Sequence, residues 1–291
     1  MPIHDQGYRR YGGERAPRGQ GWAVIAKAGI RTFLAKRAFL GLLLVAWFPF
    51  FVRAVQIYVA ANFPNLQQAS FLTPTAETFR QFLEQQGTFV FFVTVYVGSG
   101  LIANDRRANA LQIYLSKPLT RAEYVFGKLA ILMTFLLLIT WVPAIVLLIV
   151  QVLFSGNFTF VSRNVFLIPA ITLFSFIDVL TISTAMLAHS SLSNSSRYVG
   201  ILYAALMFFT TALWGVLSFA LSAQRVPPGS GRPGVAWISP SADLTAVGDA
   251  IFRLPPRYDS PWIVSLAVII ALVAGSALVL ERRVRGVEVV A

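Results

Sequence analysis

The sequence has 291 residues, of which 56% are hydrophobic and only 12% are charged, and it contains no cysteine. Because a soluble domain carries about 25% charged residues, this composition predicts an integral membrane protein, and the lack of cysteine excludes disulfides and thiolate metal sites. A net charge of +12 would suggest nucleic-acid binding in a soluble protein. In a chain with apolar spans, the basic residues instead indicate how the protein is oriented in the bilayer, so we expect no nucleic-acid partner. We also expect no metal site.

Two segments precede the first apolar span. Residues 1–21 are rich in glycine and arginine and contain no apolar stretch, which predicts a disordered basic tail rather than a signal peptide. Residues 22–37 mix basic and apolar side chains at helical spacing. This pattern is typical of an amphipathic helix that lies in the headgroup layer of a membrane.

Apolar stretches then predict an all-α integral membrane protein, a six-transmembrane-helix bundle within residues 38–281. The first span contains Pro49, which should break it. The second is short, so it should borrow length from a preceding helix that Thr73-Pro74 starts and whose Phe79, Phe82 and Leu83 form one apolar stripe. The predicted spans are residues 39–61, 88–103, 129–154, 165–188, 198–221 and 261–280.

The basic residues predict the orientation of the bundle. Seventeen of the 24 Lys and Arg residues fall on one side of the predicted bilayer, six fall on the other, and Arg53 lies within a span. Because loops rich in Lys and Arg stay in the cytoplasm, both termini should be cytoplasmic, including the short tail at residues 282–291.

Motifs of familiar catalytic sites are missing. The chain has no G-x-x-x-x-G-K-[ST] loop for nucleotide phosphates, no H-E-x-x-H and no G-x-S-x-G. We therefore expect no enzymatic activity and no cofactor in this chain.

Residues 101–129 form a patterned connection between the second and third spans. Leu111, Tyr114 and Leu115 are at helical spacing and could lie on the membrane or in the groove of a partner. Thr120 followed by Glu123 three residues later predicts a capping box that starts a helix leading into the third span. An alternative interpretation is a well-capped loop whose basic residues only obey the rule of positive cytoplasmic loops.

The segment D-R-R-x-N-A-L-Q-x-Y-L-S-K-P-L-T-R-x-E-Y-V-x-G-K-L, beginning at residue 105, closely resembles the cytoplasmic stretch after the second span in permeases of the ABC-2 class of ATP-binding-cassette transporters. The resemblance implies cytoplasmic coupling helices, a second permease copy and a separate ATPase subunit that binds ATP and Mg²⁺, in a bacterial inner membrane. It also implies that the segment contacts that ATPase through Asp105, Arg106, Arg107, Asn109, Leu111, Tyr114, Leu115, Pro118, Leu119, Thr120, Arg121, Glu123 and Lys128.

Two ionisable residues lie within spans. Asp178 is near the middle of the fourth span, where a carboxylate is costly and either marks a functional site or is neutralised between helices. Arg53 lies in the outer part of the first span, from which it could extend outward to the interface or, less easily, reach Asp178.

Two other functions remain open from the residues: a membrane scaffold that recruits a partner other than an ATPase, and an ion-gradient-driven transporter or channel that uses Asp178. The spans contain no distinctive polar pocket by sequence, so no substrate follows from them.

Overall fold

The computed structural model describes residues 20–63, 73–110, 119–156, 159–225, 235–258 and 260–284. Six helical segments in these ranges are long and apolar enough to cross a membrane. The predicted all-α bundle of six spans is therefore confirmed. Most of the predicted N-terminal tail, residues 1–19, and the last part of the C-terminal tail, residues 285–291, lie outside the described residues.

The first span is made of two helices. An N-terminal helix, α1 (Gly21–Leu34), ends three residues before the predicted interfacial helix does, and α2 (Arg37–Ala46) and α3 (Phe48–Asn62) follow. The break lies at Trp47, so Pro49 sits in the first turn of α3. Proline is tolerated there because its missing N–H would have no partner within the helix.

The second span is longer than the predicted residues 88–103. Helix α4 (Ala76–Val93) continues into a π-helical turn (Thr94–Gly98), and α5 (Ala103–Arg107) follows. The polar first half of α4 is helical because it packs Phe79, Phe82 and Leu83 into a buried cluster. Packing against the rest of the protein, rather than contact with lipid, thus stabilises the helical conformation of these residues.

The helix of the third span, α6 (Arg121–Ile139), begins directly after the cap at Thr120, as the capping box predicted, and so extends beyond the predicted apolar span of residues 129–154. Helix α7 (Trp141–Ser155) continues it beyond a break at Thr140. The Thr140 hydroxyl donates to the carbonyl oxygen of Leu136 at 2.8 Å. Gly156, with φ of 63°, ends α7 in the left-handed conformation that glycine adopts without strain.

After a short helix, α8 (Thr159–Arg163), come α9 (Leu167–Leu192) and α10 (Ser196–Arg225). Of the apolar part of α9, 61% is buried in the bundle, whereas the value for α10 is 6%. Helix α9 is therefore the centre of the bundle and α10 lies at its edge.

The remaining elements are a 3₁₀ turn (Ala236–Ile238), α11 (Pro240–Ile251) and the last span, α12 (Trp262–Arg283). Helix α11 packs against α9, α10 and α12. We refer to the end of the bundle with α1, α5 and the start of α6 as the basic end, and to the end with α11 as the opposite end.

Candidate coupling surface and membrane cavity

A buried ion pair joins the second span to the third at the basic end. The ammonium of Lys128 on α6 lies 2.7 Å from a carboxylate oxygen of Asp105 on α5, and the Tyr124 hydroxyl donates to the same oxygen at 2.7 Å. The two charged side chains are only 11% and 18% exposed. Because the pair is shielded from water, it fixes α5 against α6 more firmly than a surface ion pair would.

Ser190 attaches the same region to the end of the central helix α9. Its hydroxyl accepts hydrogen bonds from the backbone amides of Ile102 at 3.1 Å and Ala103 at 3.0 Å. The hydroxyl also donates to the carbonyl oxygen of Ser99 at 2.9 Å. These backbone groups lie where the π-helical turn gives way to α5, so Ser190 supplies the partners that a broken helix lacks.

A further side chain strengthens this connection, because the guanidinium of Arg106 donates to the backbone carbonyl oxygen of Ser191. Arg106 therefore ties α5 to the last turn of α9. The end of α9 and the start of α5 form one hydrogen-bonded unit.

The predicted capping box is present at the start of α6. The Glu123 amide donates to the Thr120 hydroxyl at 3.2 Å, and the Thr120 amide donates to the Glu123 carboxylate at 2.8 Å. The same carboxylate accepts from the amide of Gly21 at 3.3 Å. Glu123 thus joins the first residues of α1 to α6, a long-range contact that its local motif did not indicate.

Helix α1 lies directly on α6 at Gly127. A β-carbon at this position would lie 2.8 Å from Cβ of Ile25 and 2.9 Å from the carbonyl oxygen of Trp22. Only a residue without a side chain permits this approach. The predicted interfacial helix is therefore also a packed part of the basic end.

The predicted coupling residues divide by exposure. Arg107, Asn109 and Arg121 are exposed at the basic end, whereas Leu119 packs partly against the apolar core. Asn109, with φ of 52°, adopts the left-handed conformation that asparagine tolerates better than most residues. Leu111, Tyr114, Leu115 and Pro118 lie outside the described residues.

Sequence reasoning missed the partners of this segment. Tyr124, Ser190 and Ser191 complete its hydrogen bonds, and the sequence alone indicated no such role for them. The available signal was the concentration of serines after the fourth span, where five of residues 190–196 are serine.

A second charge cluster lies at the opposite end, between α4 and α11. The Arg257 guanidinium contacts Asp249 at 3.0 Å and Glu84 at 2.9 Å. Arg80 lies 3.4 Å from Asp249 and donates to the carbonyl oxygen of Thr245 at 3.3 Å. The side chains of Arg80 and Asp249 are 2% and 1% exposed.

Burial raises the pKa of Asp249, and both arginines oppose that shift. The two arginines thus stabilise the ionised form of a carboxylate whose neutral form burial favours. By sequence, Arg80 and Arg257 had counted only as basic residues of the outer side.

A cavity of about 950 Å³ lies between this cluster and the middle of the bundle. Its walls come from α4, α9, α10, α11 and, through Leu272, α12, and Asp178 lines it from α9. A second cavity of about 660 Å³ follows toward the basic end, and Phe91, Phe92 and Phe208 line both. The sequence did not indicate this mainly apolar cavity, because its lining residues come from five separate helices.

Arg53 does not contribute to this cavity. Its guanidinium donates to the side-chain oxygens of three glutamines on α3 and α4 and, among the described residues, forms no ion pair with Asp178. The three acceptors are Gln56 at 2.7 Å, Gln81 at 3.3 Å and Gln85 at 3.4 Å. Neutral amides thus satisfy an arginine inside a span.

Comparison with known families gives one match of nearly full length. Residues 23–283 match the family described as ABC-2 family transporter protein. No curated protein matches the chain significantly.

Proposed function

The chain belongs to the ABC-2 family of transporter proteins, and from this premise we propose that it is the permease subunit of an ATP-binding-cassette exporter. A separate ATPase subunit binds ATP and Mg²⁺, and the chain itself carries no catalytic site. The basic end faces the cytoplasm of a bacterial cell, with both termini on that side. Two permease copies pair in the membrane, as the family resemblance implies.

The observation that carries this proposal is the hydrogen-bonded unit at the basic end. Asp105, Lys128 and Tyr124 join α5 to α6, while Ser190 and Arg106 join α5 to α9. Force applied to this unit by an ATPase would reach two spans at once. A well-capped loop that served only orientation would need none of these buried contacts.

Exposed basic side chains beside the unit supply a contact surface. Arg107 and Arg121 are exposed at the basic end and form no ion pair among the described residues. Since unpaired surface arginines favour carboxylate partners, we propose that they meet acidic groups of the ATPase. From the family resemblance we propose that Leu111, Tyr114, Leu115 and Pro118, which lie outside the described residues, take part in the same contact.

The test is capture of the ATPase encoded beside this gene by the tagged permease in detergent. We expect the wild-type chain to retain the ATPase, and the double substitution Arg107→Glu with Arg121→Glu to lose most of it. Arg163→Glu is the matched control, because Arg163 is exposed beyond α7, away from the basic end. Loss of the ATPase with the control alone would contradict the proposed orientation.

Transport in liposomes then distinguishes the remaining alternative. We expect transport only when the ATPase and ATP are present. Asp178 faces a cavity, as a proton or ion site would, so transport driven by an ion gradient without ATP and lost in Asp178→Asn would instead assign a secondary transporter.

A further inference from the structure

The cavity between α4, α9, α10 and α11 contains a carboxylate without a direct partner. Asp178 lines the cavity, and no hydrogen bond or ion pair joins it to another described residue. Arg80 is the cation that acts on it electrostatically. A carboxylate within a span that has no direct partner points to a ligand or an ion as its counter-charge.

Arg80 is engaged elsewhere. Its guanidinium lies 3.4 Å from Asp249 and 3.9 Å from Glu84, donates to the carbonyl oxygen of Thr245, and lies over the Phe174 ring at 4.7 Å. Turning toward Asp178 would leave the buried Asp249 with less compensation. The arginine is therefore held at the opposite-end wall of the cavity.

The ion pairs beside the cavity leave out one carboxylate. Arg80 and Arg257 pair with Glu84 and Asp249 within one cluster. Asp178 lines the cavity and belongs to none of these pairs. A positively charged ligand group would stabilise the ionised form of this carboxylate, whereas an anion would oppose it.

The remaining walls suit an organic cation with an apolar body. Phe91, Tyr203 and Phe208 lie on the same cavity as Asp178, and the ring of Phe91 stacks on Tyr203 at 6.1 Å and meets Phe208 edge-on at 5.5 Å. Aromatic faces attract cations. A volume of about 950 Å³ accepts a drug-sized molecule.

We infer that this cavity binds an amphipathic organic cation, with the cationic group at Asp178 and the apolar part against the aromatic side chains. That such a cation is the exported substrate rests on the proposed function. The binding itself requires only this chain.

The test uses the purified full chain in nanodiscs of zwitterionic lipid with two probes of matched shape, tetraphenylphosphonium and tetraphenylborate. Equilibrium dialysis measures binding above that of empty nanodiscs. We expect the cation to bind the wild type and the anion not to bind. Asp178→Asn should weaken cation binding by at least tenfold, as expected for loss of a buried charge partner.

Two variants control for folding and for general charge effects. Asp178→Glu retains the carboxylate and should retain cation binding. Glu77→Gln removes an exposed carboxylate from the first turn of α4, away from the cavity lining, and should bind the cation like the wild type. Equal cation binding by wild type and Asp178→Asn, equal binding of the two probes, or no cation binding by the wild type would each overturn the inference.

This assay separates the inference from the proposed function. If the chain binds the cation through Asp178 but captures no ATPase, the binding site is supported and the exporter function is rejected. If the chain captures the ATPase but does not bind the cation, the permease function is supported and this substrate class is rejected.

Discussion

Asp178 and Ser190 lie twelve positions apart on the uninterrupted helix α9, so one rigid element joins the membrane cavity to the basic end. At 1.5 Å rise per residue they are about 18 Å apart along its axis. Ser190 holds the backbone where the π-helical turn meets α5. We therefore expect a displacement of α5 to reach the carboxylate in the cavity through α9.

Removal of the Ser190 hydroxyl should weaken this connection. Ser190→Ala leaves the amides of Ile102 and Ala103 and the carbonyl of Ser99 without their buried partner. We expect a loss of about 3 kcal/mol or more in the free energy of unfolding, because three buried groups lose their partner and each costs about 1–3 kcal/mol. Unfolding in mixed micelles measures it.

Ser195→Ala is the control for that substitution, since Ser195 is exposed and its hydroxyl accepts only a long bond of 3.4 Å from the Tyr198 amide. Water can replace this partner. Similar destabilisation by both variants would contradict the role given to Ser190.

Substitution of Gly127 should separate α1 from α6. Gly127→Ala places a methyl group against Cβ of Ile25 and the carbonyl oxygen of Trp22, and neither atom can rotate away. We expect a cost of about 1–3 kcal/mol, typical of overpacking, and faster tryptic cleavage after Lys27. Gly215→Ala is the control, because a β-carbon there meets nothing within 4 Å; unchanged cleavage in the Gly127 variant would show that α1 packs elsewhere.

The opposite-end cluster should respond differently at its buried and exposed carboxylates. Asp249→Asn leaves the buried Arg80 poorly compensated, so we expect a loss of about 3–5 kcal/mol in stability. Glu84→Gln removes a carboxylate that is 43% exposed and should cost about 1 kcal/mol or less. Thermal unfolding of the two variants tests this order. Equal losses of stability in the two variants would refute it.

Asp243 should make stability depend on pH. It is fully buried on α11, and burial raises its pKa from 3.8 to about 6, an effect that the Ser265 hydroxyl opposes. Between these values only the folded state holds the proton, so stability falls as pH rises from about 4 to 6 and stays lower above.

Asp243→Asn removes that proton and should flatten this part of the profile, with the largest stabilisation relative to wild type near pH 7. Asp249 titrates in both proteins, so the difference between the two profiles isolates Asp243. Parallel unfolding midpoints from pH 4 to 7 would contradict the assignment.

Local pattern was sufficient for several features. Apolar length predicted six spans, and Thr120 with Glu123 predicted the start of α6, because both depend on residues close together in the chain. Pro49 predicted the break in the first span for the same reason. The resemblance of residues 105–129 indicated the family that the match over residues 23–283 confirms.

Contacts between distant segments required the tertiary structure. Arg80 meets the carbonyl of Thr245 across 165 positions, and Arg257 meets Glu84 across 173. No periodicity encodes such pairs, since each depends on how two helices rotate and slide against one another. The sequence by itself determined a six-span membrane protein with a patterned segment at its basic end; the packing of α9 against its neighbours decided which carboxylates are paired and left Asp178 facing a cavity.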